Sequence, residues 1–118
     1  MLKKIALSRV DDVGRVFVGS EQVYRGINST AEPLVKDLLS CGLLTELENK
    51  GLFPKTAVSN LKIDGYSLVL EHEKVFFITY PFEWSPEMLR SAGLCVLEVN
   101  ECANKYGYEL KDCHPYNV

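Results

Sequence analysis

The residue types that could do chemistry gather near the end of the chain. Asp112-Cys113-His114-Pro115-Tyr116-Asn117 places a carboxylate, a thiol, an imidazole and an amide within six residues. Asp112 and Asn117 are five apart, with Pro115 between them. A thiol beside an imidazole suggests a Cys113–His114 nucleophile pair. Working Cys–His pairs are made in space rather than between sequence neighbours, so adjacency argues against it. Zinc is poorly supported too. Cysteines 41, 95, 102 and 113 show no CxxC spacing, and His72 and His114 are the two histidines. Serine hydrolysis lacks its GxSxG turn. The plain reading of the segment is a polar turn in which Asp112 and Asn117 satisfy backbone groups.

The elements before this segment must position it. Gly14–Gly19 and Gln22–Ile27 are short β-rich runs around Gly19-Ser20-Glu21, a hairpin pattern. Ser29 with Glu32 fits a capping box, with Pro33 in the first turn. Leu34, Val35, Leu38, Leu39, Leu43, Leu44 and Leu47 then recur at helical spacing. Gly42 interrupts this helix and Lys50-Gly51 ends it. Tyr66–Leu70 and Val75–Tyr80 flank the polar run Glu71-His72-Glu73-Lys74, which predicts a second hairpin with His72 solvated at its tip. Pro81–Trp84 forms a connector. Ser85 is an N-cap candidate, followed by Pro86, and a helix is expected to about Tyr106 with Gly107 as its stop. Its apolar stripe is Met88, Leu89, Ala92, Cys95, Val96, Val99 and Ala103. Cys95 and Cys102, seven apart, should face one way as small apolar side chains.

This order predicts an α+β fold: an antiparallel sheet of about four or five strands on two main helices. The chain has 118 residues, 47% hydrophobic and 25% charged, in the range of one ordinary globular domain. Residues 1–80 would supply the sheet and first helix, and 81–118 the connector, long helix and polar loop. A net charge of −3 gives no basic footprint for nucleic acid. No apolar run approaches the roughly 18 residues of a membrane helix. Four cysteines without a disulfide pattern suit a reducing cytoplasm.

Leu110–Asn117 resembles the catalytic loop of protein kinases and aminoglycoside-type phosphotransferases, HRDLKPEN or HGDLHPGN, which follows a long helix. The preceding order of two strands, helix, two strands, connector and long helix is similar to a kinase N-terminal lobe. The resemblance implies Asp112 as base for an attacking hydroxyl and Asn117 as ligand of Mg on ATP phosphates. The departures are several. There is no GxGxxG and no strand lysine, Arg25 being the nearest stand-in. Glu32 and Glu46 are the available helical partners, and no DFG-like segment is present.

A second resemblance spans nearly the whole chain. Ile78–Leu89 (ITYPFEWSPEML), Leu110-Lys111-Asp112 and Tyr116-Asn117-Val118 are similar to the N-terminal region of bacterial SAM-dependent methyltransferase-like proteins, some termed host-specific nodulation-protein relatives. It implies a front piece of a longer protein, whose partner is its own C-terminal remainder. SAM would bind in that remainder, since no Gly-rich cofactor turn occurs here. The resulting expectation is a non-catalytic, ligand- or domain-binding module without a cofactor of its own. The alternative is a phosphotransferase fragment using Asp112, Asn117 and ATP/Mg.

Overall fold

A computed structural model describes residues 2–4 and 12–115. Among these residues five antiparallel strands form one sheet in the order β1-β2-β3-β5-β4. They are β1 (Lys3–Lys4), β2 (Gly14–Val18), β3 (Gln22–Ile27), β4 (Thr56–Val58) and β5 (Leu68–Glu73). Among the described residues three α-helices accompany them: α1 (Glu32–Ser40), α2 (Leu43–Asn49) and α3 (Pro86–Lys105). The α+β class and the small antiparallel sheet are as expected, and a pair of strands still separates the first helical run from the long helix.

The first hairpin is as its turn residues predict. Gly14 pairs with Ile27 and Val18 with Val23. The strand face that alternates through Ile27, Leu68 and Leu70 carries the sheet's core against Ala31 and Val35. On the opposite face Tyr66 lies over Gly26 and meets Phe17 edge-on, with ring centroids 6.0 Å apart. A Cβ at Gly26 would sit 2.6 Å from the Tyr66 ring, so only glycine allows this approach.

The second hairpin is a correction. Glu71-His72-Glu73 is strand rather than turn, and Val75–Tyr80 is irregular. The polar run contains no Gly, Asn or Pro to reverse the chain. Both edges of β5 are taken: Tyr24 pairs with Glu71 on one side, and Thr56 with His72 on the other. A strand after β5 would have to displace β3 or β4. The true partner, β4, is three residues long and carries no alternation signal. His72 is therefore half-buried in the sheet. Its Nδ1 lies 2.8 Å from Thr56 Oγ1, and Phe53 meets its ring edge-on. Burial, then the charge of Arg25, lowers its pKa.

The first helix also differs at its start. Ser29–Ala31 forms a 3-10 turn closed by Ala31 N donating to Asn28 O at 2.9 Å. Glu32 thus becomes the first residue of α1, and the expected capping box is not made. Its carboxylate accepts from Ser67 Oγ and from Lys36 Nζ instead. Gly42 takes φ 97° and divides the apolar run into α1 and α2, a left-handed conformation that glycine adopts without strain. At α3, Ser85 Oγ accepts from Met88 N at 3.2 Å, as expected of an N-cap.

A second core forms where α2 meets α3: Leu43, Leu47, Cys102 and Ala103 are buried together. The fully buried residues of α3, Cys102 and Ala103, lie near its C-terminal end. The expected stripe is incomplete, because Met88 and Leu89 are exposed, as are Leu94 and Leu97. No helix among the described residues is long and apolar enough to cross a membrane.

Candidate functional site

Asp112 and Cys113 lie at a half-open pocket of about 300 Å³. The middle of α3 supplies one wall through Cys95, Val96 and Val99. The connection between α2 and β4 supplies a second through Leu52, Phe53 and Pro54. Leu110 closes the third side. The wall residues are fixed by their backbones: Leu52 N donates to Leu47 O at 2.9 Å, and Leu110 N to Asn100 Oδ1 at 2.9 Å. Two other depressions, of about 410 and 530 Å³, share Glu48, Lys55 and Glu73 and are more open to solvent.

The Asp112 side chain is 65% exposed, and its Oδ2 lies 3.6 Å from Nε2 of His114. Asn117, expected to act with it, lies outside the described residues, as does Tyr116. Cys113 is exposed while Cys95 is partly buried. Among the described residues no group of three or more His, Cys, Asp and Glu is placed to hold a metal ion.

The approach to this segment is tied down by two tyrosines that pack against the α2–α3 core. The Tyr108 hydroxyl donates to Asp37 on α1, and that hydrogen bond pushes its pKa up to about 12. The Tyr106 hydroxyl donates to Glu46 Oε2 at 2.8 Å. Glu46 is a hub that the spacing did not reveal. Its Oε1 also meets Lys105 Nζ at 3.0 Å and Lys50 Nζ at 3.3 Å. These partners, Lys105 first, hold its carboxyl down at about 2. Glu32 and Glu46, the two candidates for a strand–helix ion pair, are thus both engaged elsewhere, Glu32 by Lys36 and Ser67 and Glu46 by Lys50, Lys105 and Tyr106. Glu46 is more than 40 positions from Lys105, as are the walls at 52–54 from the α3 residues they face across the pocket. Only the i, i+4 spacing of Glu46 and Lys50 was a local signal.

The Glu46 cluster gives a pH prediction. A carboxylate whose folded pKa is below its unfolded value of 4.5 stabilises the fold above that value. The contribution is lost as pH falls from 4.5 towards 2. Glu46→Gln should therefore melt below the wild type at pH 6, and the gap should close by pH 2. A gap that stays constant across thermal melts at pH 6, 4 and 2 would show that Glu46 does not stabilise through its charge.

A curated relative exists. The chain is similar to the nodulation protein NoeA of Rhizobium meliloti (strain 1021). The identity is 28% over 122 residues, covering 98% of this chain and 25% of NoeA. The chain thus spans about a quarter of the length of the curated relative it matches. This supports kinship with nodulation-related proteins and nothing finer. No protein-family model matches the chain. No solved structure matches it either.

Proposed function

We propose that this chain is a partial module of a larger nodulation-related protein, and that it works by docking. The observation that carries this reading is an apolar ridge after β5. Phe76 is 80% exposed and Phe77 86%, and Val75, Ile78, Tyr80 and Phe82 are exposed beside them. Met88, Leu89, Leu94 and Leu97 continue the exposure along α3. Scattered surface apolar residues are ordinary, but a run of this density marks an interaction site. The run holds a defined shape: Trp84 Nε1 donates to Thr79 Oγ1 at 2.9 Å, and the Tyr80 and Phe82 rings stack at 5.8 Å.

The occupant proposed is the remainder of the same protein, in keeping with a relative about four times as long. Any methyl transfer from SAM would belong to that remainder, and this chain would position it. The test is to produce the chain and the remainder separately and mix them. They should co-elute. Phe76→Ser with Phe77→Ser should weaken the complex by about a hundredfold or more, since buried aromatic anchors are each worth about 2 kcal/mol. Both rings are exposed in the chain, so the variant should melt within about 0.5 kcal/mol of the wild type. Separate elution of the unmutated pair, or undiminished binding by the variant, would remove the docking reading.

A further inference from the structure

We propose that the pocket between α3, the α2–β4 connection and the C-terminal segment binds a small organic ammonium compound. Its compact apolar body would enter the pocket, and its ammonium would rest against Asp112. Three observations converge. At about 300 Å³ the pocket has the size of a small-molecule site at the lower end of the usual range, large enough for one ring and a short tail. Its lining is apolar apart from the thiols and a single charged group, the Asp112 carboxylate, and no lysine or arginine takes part. Asp112 Oδ2 already has a nitrogen, His114 Nε2, at 3.6 Å, so the carboxylate is open to approach by such groups.

The walls need no rearrangement to receive such a guest. Leu52 and Val99 pack on the buried core of α2 and α3, and Phe53 is held edge-on to His72. A preformed apolar site avoids the cost of ordering on binding. Cys95 and Cys113 add polarizable sulfur, which packs well against aromatic rings. An anionic ligand would face the carboxylate and is disfavoured. This inference is independent of the docking ridge, whose phenylalanines do not line the pocket.

The test is an amide-shift titration of the full chain with 2-phenylethylamine and, separately, 2-phenylethanol. Both should shift the amides of residues 52–53, 95–99 and 110–113 saturably. The amine should bind about fivefold more tightly, the size of one exposed ion pair. Asp112→Asn should erase that preference while leaving the fold intact, because the side chain is exposed. Leu110→Trp should fill the pocket and abolish both sets of shifts. Absence of saturable shifts at these amides in the unmutated chain overturns the site. Equal affinity for amine and alcohol, or a preference that survives Asp112→Asn, overturns the ammonium class.

Discussion

Ile27→Ala is expected to lower the unfolding free energy by about 2–5 kcal/mol, the cost of a buried cavity that neighbours fill only in part. Ile27 is 1% exposed. It lies where β3 is flanked on both sides, by Gly14 of β2 and by Leu68 of β5. Its side chain packs with Ala31, Val35, Leu68 and Leu70. These neighbours belong to the sheet, the 3-10 turn and α1, so collapse into the void would have to move several elements together. Urea unfolding should show a lower midpoint with an unchanged slope. Val58→Ala, on the exposed edge strand, is the control and should stay within about 0.5 kcal/mol. A loss below about 1 kcal/mol for Ile27→Ala would mean that the sheet does not rest on this cluster.

Leu47→Ala should cost a similar amount, about 2–5 kcal/mol, but in a different place. Leu47 joins Leu43, Cys102 and Ala103 in the core between α2 and α3, with Leu52 and Val99 against it. That core contains none of the buried residues of the sheet cluster. The polar contacts from α1 and α2 to the end of α3 and beyond, through Glu46 and through Asp37 with Tyr108, cannot replace lost packing. Hydrogen exchange should accelerate in α3 and the C-terminal segment more than in β3 and β5. The pocket walls at Leu52 and Val99 should loosen with it, so ligand-induced shifts there should weaken. Uniform acceleration across sheet and helices would show that the two cores unfold as one unit.

What could be read in advance depended on the range of each signal. The first hairpin was legible because Gly19-Ser20-Glu21 and the flanking β-rich runs are contiguous. The start of α3 was legible because Ser85 and Pro86 act on their own first turn. The division at Gly42 followed from one residue's backbone. The error at His72 had a different origin. A polar run between apolar runs looks like a turn, yet Glu71-His72-Glu73 is held as strand by partners 16 and about 50 positions away. No local pattern reports that both edges of β5 are occupied.

The candidate site divides in the same way. Asp112 was singled out by its neighbours in sequence, but its setting was not. The pocket beside it is made by Leu52–Pro54 and by Cys95 to Val99, which chain order keeps apart and the α2–α3 core brings together. The apolar residues of 75–97 were visible as hydrophobic letters. Only the packing shows that much of that surface is left outward, since α2 reaches just the far half of α3. The sequence by itself determined the first hairpin, the break at Gly42, the Ser85 cap of α3 and the α+β class, because these follow from contacts within a few residues. Tertiary structure alone decided the strand order, the Glu46 hub, the pocket and the exposed ridge. Each depends on which distant surfaces meet, and on which are left without a partner.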